Sequence, residues 1–251
     1  MIKILNNYVI NWHIKKGVNY DMPLQSIPTN VSELFKEHGL LMKVEKGIEI
    51  FHEGDRAEHI FLIQEGKIQL SKETETGKEL TLRICCINCI IGEGSPFCSL
   101  HYHVATAKAL DQTTVLALPY HSFELLLTER PTLMIDYLNW LHIENMKNQS
   151  RLRDLMLHGK KGALFSTLIR LANTYGNFRE DGTIFINFPL TNNEIANLCA
   201  TSREMINRML NDLKKHHIIS FDKGFITILN FQYFKNEINC ENCPISICRI
   251  D

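Results

Sequence analysis

The chain has 251 residues, 45% hydrophobic and 22% charged, with a formal net charge of −1. That length supports two modest domains with separate cores, and no apolar run approaches the ~20 residues needed to cross a bilayer. The start, Met1-Ile2-Lys3-Ile4-Leu5-Asn6-Asn7, lacks a long apolar stretch and a small-residue cleavage site, so no signal peptide is expected. The expected location is a reducing cytoplasm, with the eight cysteines as thiols or metal ligands rather than disulfides.

Residues 1–30 form an N-terminal extension whose pattern favours no element. From about Leu40 to Leu118, short runs are cut by glycine turns at Lys46-Gly47, Glu53-Gly54-Asp55, Glu65-Gly66-Lys67, Thr76-Gly77-Lys78 and Gly92-Glu93-Gly94. Between them lie alternating or β-branched segments such as Ile48–Phe51, Ile60–Ile63, Lys67–Leu70 and Leu80–Ile84. This pattern predicts an antiparallel β-roll over 31–127. Thr128-Glu129-Arg130-Pro131 then opens a long helix over 128–158, with proline tolerated in the first turn. Along it Leu138, Leu141, Asn145, Asn148, Leu152 and Leu155 fall at alternating three- and four-residue steps, a coiled-coil seam. Asparagines in such a seam lower stability but fix register in a dimer. A helix lying on the roll would carry a similar pattern, and the sequence leaves both open.

His158-Gly159-Lys160-Lys161-Gly162 reads as a hinge, with Gly159 as a left-handed helix cap and the lysines at the negative end of the helix dipole. A second domain over 159–231 starts with an amphipathic helix from Ala163 to about Tyr175, then a hairpin turning at Glu180-Asp181-Gly182. Thr191-Asn192-Asn193-Glu194 is a capping box opening a short helix. The turn Cys199-Ala200-Thr201 leads to a second helix from Ser202 to about Lys215, and the pair reads as a helix-turn-helix. Cys199 is expected to be buried in that turn. Ile218–Phe221 and Phe225–Leu229, joined through Asp222-Lys223-Gly224, form a hairpin wing. The fold class is therefore α+β: an N-terminal β-roll, a long dimerisation helix and a C-terminal winged helix-turn-helix, with a tail over 232–251.

From Ser150 to Ser220 there are ten Lys/Arg against six Asp/Glu, whereas Met1 to Gln149 holds fourteen against eighteen. A basic second half suits nucleic acid. On the second helix Arg203, Glu204, Asn207 and Arg208 share one face. Arginine can fork onto guanine O6 and N7, and a carboxylate can accept from cytosine N4. Glu204 has a competing role, completing a capping box begun by Thr201; base contact is the favoured reading.

The tail holds Cys240-Glu241-Asn242-Cys243-Pro244-Ile245-Ser246-Ile247-Cys248. This spacing lets three thiolates converge on one metal centre, but zinc or a four-iron cluster wants a fourth ligand, and the pattern leaves both metals open. Cys85, Cys86 and Cys89 are expected to be core and surface thiols, because adjacent strand residues point to opposite faces. No nucleophile–base pair or phosphate loop is evident. The Cys-x-x-Cys of the tail is not at a strand–helix junction, so an enzyme is not expected.

This order of roll, long helix and winged helix-turn-helix resembles the CRP/FNR family of transcription factors over roughly residues 30–235. The resemblance is most specific in Leu190-Thr191-Asn192-Asn193-Glu194-Ile195-Ala196 and in Ser202-Arg203-Glu204-Met205-Ile206-Asn207-Arg208-Met209-Leu210. The family's Arg-Glu-x-x-x-Arg pattern falls on Arg203, Glu204 and Arg208. It implies a homodimer reading TGTGA-like palindromic half-sites in double-stranded DNA as an activator, with RNA polymerase as a further partner and no membrane partner. Cyclic-nucleotide binders of the family carry an Arg-Ser or Arg-Thr pair after the Gly-Glu of the roll. Here the matching pair is His103-Val104, so no cyclic nucleotide is expected.

The tail through Arg249-Ile250-Asp251, with the stretch Arg153-Asp154-Leu155-Met156-Leu157-His158-Gly159-Lys160-Lys161-Gly162-Ala163-Leu164, is similar to the bacillus type of FNR. That resemblance implies a [4Fe-4S] cluster bound by Cys240, Cys243, Cys248 and Asp154. It further implies an oxygen-responsive regulator of anaerobic metabolism, including nitrate respiration. Asp154 would also lie unfavourably at the negative end of its helix dipole, where a salt bridge to Arg151, Arg153 or a lysine is the plain alternative. A regulator gated by a small molecule or zinc is the other reading of the whole.

Overall fold

The computed structural model describes residues 27–92 and 102–251. Glu93, Gly94 and Cys98, and the reading of the chain's start, lie outside the described residues.

The first described element is helix α1 (Thr29–His38), which the sequence pattern did not announce. Eight strands follow: β1 (Leu40–Val44), β2 (Glu49–Phe51), β3 (His59–Glu65), β4 (Ile68–Glu73), β5 (Glu79–Cys85), β6 (Ile90–Ile91), β7 (Thr106–Ala109) and β8 (Thr113–Pro119). They make two four-stranded antiparallel sheets, ordered β1-β8-β3-β6 and β2-β7-β4-β5. The glycine punctuation has a steric reason at Gly66. Its φ is 86°, and a Cβ there would sit 2.7 Å from the Thr113 Cα. One core lies between the sheets around Ile63, Ile68 and Val115, and another joins the roll to α1 around Phe35, Leu62 and Phe123.

Helix α2 (Tyr120–Glu129) also escaped the sequence pattern, and it corrects the start of the long helix. Thr128 and Glu129 end α2, and α3 begins at Pro131 with proline in its first turn. Helix α3 (Pro131–Tyr175) does not stop at Gly159 but resumes beyond it. Gly159 has φ 58° and ψ −157°, so it breaks the helix in a conformation nearly restricted to glycine, rather than as a left-handed cap. The hinge is thus a kink. Leu138, Asn145, Asn148 and Leu152 of the seam are exposed, while Leu141 and Leu155 are half-buried against their own chain. With Ile135 and Met156 also exposed, α3 leaves an apolar stripe uncovered by its own chain.

The C-terminal domain contains β9 (Gly176–Phe178), β10 (Ile184–Ile186), α4 (Asn192–Leu198), α5 (Arg203–Lys215), β11 (Ile219–Asp222), β12 (Phe225–Ile228) and α6 (Phe231–Glu237). The four strands form a sheet ordered β11-β12-β10-β9. Lys223 and Gly224, both at positive φ, make the two-residue turn of the wing. Its core gathers Leu164, Leu168 and Leu171 of α3 with Ile195, Ile206, Leu210 and Phe234. α6 was not anticipated. Asn230 caps it by accepting from the Tyr233 N–H at 3.0 Å.

Candidate DNA interface and cysteine tail

The capping box on α4 forms as its sequence requires. Thr191 Oγ1 accepts from the Glu194 N–H at 3.2 Å, and the Thr191 N–H donates to Glu194 Oε2 at 2.6 Å. Cys199 is buried, and Ala200 (φ 50°) makes the tight turn. α5 is capped by Ser202, not Thr201, with Ser202 Oγ accepting from the Met205 N–H at 3.3 Å. The expected box from Thr201 to Glu204 is therefore absent: Thr201 is buried, and Glu204 bonds locally with Ser202. Ile206, Leu210 and Leu213 point into the core. Arg203, Glu204, Asn207 and Arg208 all lie exposed on the opposite face, where a major groove could meet them.

Asp154 is 4% exposed although it sits on a helix. Its Oδ1 accepts from Arg153 Nε and Nη2 at 3.0 and 2.7 Å, and its Oδ2 from Ser166 Oγ and Arg170 Nη2 at 2.5 and 3.0 Å. Burial alone would push its pKa up. The hydrogen bonds from Ser166, Arg153 and Arg170 outweigh that and hold it below the usual 3.8. The ion pair foreseen with Arg153 is present, and a second, with Arg170, was not foreseen.

Arg170 is the residue that sequence reasoning missed. It donates to Ser150 and Asp154 before the kink, to Ser166 after it, and to the Ile247 carbonyl of the tail. The available signal was an arginine on the apolar face of an amphipathic segment, beside Leu168 and Leu171. The tail is further held by Asn173, which donates to the Cys248 carbonyl at 2.7 Å, and by Arg151, which donates to the Arg249 carbonyl at 3.1 Å. Lys147 donates to the Asp251 carbonyl at 2.9 Å and to Glu144, which in turn accepts from Arg83 of β5. Roll, long helix and C-terminal domain thus meet at the tail.

Cys240, Cys243 and Cys248 are all half-buried. Burial pushes the Cys248 thiol above its ordinary 9.0; Arg170 opposes the rise, while Cys240, Cys243 and Asp154 add to it. The four residues singled out from the sequence are therefore electrostatic neighbours. They do not gather tightly enough for a single ion; a cubane, being larger, spreads its ligands farther apart. Three thiols and one oxygen suit an iron–sulfur centre or zinc. The acceptor sites of Asp154 are already filled, so a ligand role requires one partner to yield. Arg153 can do so, because it also pairs with the exposed Glu241.

Among the described residues, the thiols that do converge within a single ion's reach are elsewhere. Cys86, Cys89 and Asp251 offer ligand atoms within 4.8 Å of one another. Cys86 is buried and Cys89 half-buried, as core and surface thiols would be, and the strand ends at Cys85, so the chain turns and brings Cys86 and Cys89 to one side. Cys85 remains a fully buried strand thiol.

This architecture defines a class: a winged helix-turn-helix transcription regulator carried on a cyclic-nucleotide-binding-type roll. Residues 41–130 match the cyclic nucleotide-binding domain family and residues 163–236 match the Crp-like helix-turn-helix domain. The chain is 44% identical over 226 residues to the "Anaerobic regulatory protein" of Bacillus subtilis (strain 168), covering 90% of this chain and 94% of that one. It is 28% identical to the "Global nitrogen regulator" of Synechococcus elongatus, over 74% and 84% of the two chains. Solved structures share the fold. A CooA mutant from Carboxydothermus hydrogenoformans superposes with a TM-score of 0.70 at 20% identity, over 85% and 95% of the chains. FixK2 from Bradyrhizobium japonicum gives 0.68 at 16% identity, over 79% and 96%. The chain belongs to the CRP/FNR family of transcription regulators, whose members bind DNA as dimers, and it is not an enzyme. No helix among the described residues is long and apolar enough to cross a membrane.

Proposed function

We propose that this chain is an oxygen-responsive regulator of anaerobic metabolism, including nitrate respiration, acting from the cytoplasm. In this reading Cys240, Cys243, Cys248 and Asp154 hold a [4Fe-4S] cluster. The observation that supports it is that Cys240, Cys243 and Asp154 all act electrostatically on the Cys248 thiol, with Asp154 five residues before the Gly159 kink. The name of the Bacillus subtilis relative supports the anaerobic role. When bound, the cluster supplies oxygen-sensitive bonds between the tail and α3.

The chain's own residues supply the coupling. Arg170 and Asn173 hold the tail carbonyls against the segment after the kink, and Arg151 and Lys147 hold them against the segment before it. A seated tail therefore fixes the angle at Gly159, and with it the direction of α5. Two copies would pair through the exposed stripe of α3. Their α5 helices would lie about 34–36 Å apart, one turn of DNA, with Arg203, Glu204, Asn207 and Arg208 on TGTGA-like half-sites. A freed tail loses those hydrogen bonds and the spacing drifts.

In the roll, His103 is buried and stacked on Phe51, with ring centroids 3.7 Å apart, and Val104 points to solvent. Neither offers the bidentate donor that a cyclic phosphate requires. RNA polymerase is the expected partner at the promoter.

Anaerobic purification tests the reading. The protein should be brown, contain iron and sulfide, and lose both colour and operator affinity in air. A colourless protein that binds zinc, with DNA affinity indifferent to air, would overturn it.

A further inference from the structure

The turn between β5 and β6 carries a thiol pair separate from the tail cysteines. Cys86-Ile87-Asn88-Cys89 is a Cys-x-x-Cys sequence closed by the Cys89 N–H donating to the Cys86 carbonyl at 3.0 Å. Asn88 adopts φ 65°, which bends the chain so that both sulfurs face the same side. The turn is pinned to β3 by two backbone hydrogen bonds, Asn88 N–H to Ile63 C=O and Ile63 N–H to Cys89 C=O. Against it sits Asp251, whose Oδ2 accepts from Cys86 Sγ at 3.2 Å.

We propose that Cys86, Cys89 and Asp251 form a mononuclear site for a divalent thiophilic cation, Zn²⁺, distinct from the tail cysteines. Two thiolates in a Cys-x-x-Cys turn and one carboxylate are a donor set that tetrahedral zinc accepts. Bonds of roughly 2.0–2.3 Å place tetrahedral ligands under about 4 Å apart, and here the three ligand atoms lie within 4.8 Å of one another, Cys86 Sγ and Asp251 Oδ2 being 3.2 Å apart. Cys86 Sγ and Asp251 Oδ2 already approach to 3.2 Å, and the metal would replace the proton of that hydrogen bond. A cavity of about 10 Å³, about the size of one water, adjoins two of the three ligands, Cys89 and Asp251, and is also bordered by Glu144 and Lys147.

The charges close. Two thiolates, one carboxylate and Zn²⁺ sum to −1, and Arg249 already grips Asp251 through both oxygens at 2.7 and 3.0 Å. Binding forms two Zn–S bonds and one Zn–O bond, displaces hydration waters from the zinc ion, and releases to solvent whatever protons the two thiols still carry. No electron moves, so the site needs no oxidant. Because the thiols belong to the roll and Asp251 to the tail, the cation would clasp the end of the tail to the roll.

Cobalt is the probe. The full-length Cys240→Ser/Cys243→Ser/Cys248→Ser chain, shown folded by circular dichroism, should bind one equivalent of Co²⁺ with thiolate-to-cobalt charge-transfer absorption. Adding Cys86→Ser and Cys89→Ser should abolish the band, and Asp251→Asn should weaken binding. In the unmutated chain, Zn²⁺ should slow alkylation of both Cys86 and Cys89, mapped by peptide mass spectrometry. That measurement decides alone if the serine variant does not fold. No band at stoichiometric cobalt in the folded chain, a band that survives loss of both roll cysteines, or alkylation rates unchanged by zinc would overturn the site. None of these results bears on the tail cluster.

Discussion

Replacing Arg170 by alanine tests how the tail, the kink and Asp154 are joined. Arg170 is 2% exposed and makes hydrogen bonds of 3.2, 3.1, 2.8 and 3.0 Å to Ser166, Ile247, Ser150 and Asp154. Removing one partner of a buried ion pair costs about 3–5 kcal/mol, because the other charge stays desolvated. Asp154 keeps Arg153 and Ser166, which places the cost near the lower end, about 3 kcal/mol. For a chain of this size that corresponds to a melting temperature lower by about 6–12 °C. The assay is thermal unfolding of the metal-free protein, run as a cycle with Asp154→Ala and the double variant. If Arg170 acts through Asp154, the double variant should cost less than the sum by about 0.5–3 kcal/mol. Arg170→Lys should rescue little, since a point charge cannot replace a planar fork reaching four acceptors. A melting temperature within about 1 °C of wild type would refute the argument, as would costs that simply add.

Three other perturbations probe separate parts of the fold. In Gly159→Ala nothing lies within 4 Å of the added Cβ, so any effect is conformational: strain of about 1–3 kcal/mol or a straightened helix. Calorimetry and operator titration should show both stability and DNA affinity falling; unchanged values would mean that the kink is not required. Arg208→Ala should relax discrimination at one base pair by about 1–3 kcal/mol in a binding-site selection, whereas a uniform loss across sequences would assign Arg208 to phosphate. Asp154 and Asp251 both titrate below their ordinary values. Burial opposes this in each, overcome by Ser166, Arg153 and Arg170 for Asp154, and by Arg249, Lys147 and Cys86 for Asp251. Their stabilisation is therefore complete above about pH 4, the unfolded value, and is lost as pH falls through the lower folded values. Protease sensitivity of the tail should rise on that acid limb and stay flat from neutral pH down to about 5.

The local elements were legible because their signals are local. Glycine spacing announced the β-roll, Thr191 through Glu194 announced a capped helix, and the polar face of Arg203 to Arg208 announced the exposed side of α5. The helices α1, α2 and α6 were missed because each is seven to ten residues long and takes its stability from packing rather than from its own periodicity. The kink at Gly159 was marked by the glycine, but its conformation was not, since both a cap and a kink use positive φ.

What the sequence determined by itself was the order of the domains, the reading helix and the existence of a thiol-rich tail, all encoded in spacings of a few residues. Only the tertiary structure decided which polar groups meet in the interior. Asp154 and Arg170 face each other across a kink, and Cys86 meets Asp251 over 165 positions of chain. Such pairings carry no periodic signature. They arise where three packed units exclude water, so that each buried charge and thiol must find its partner on another element.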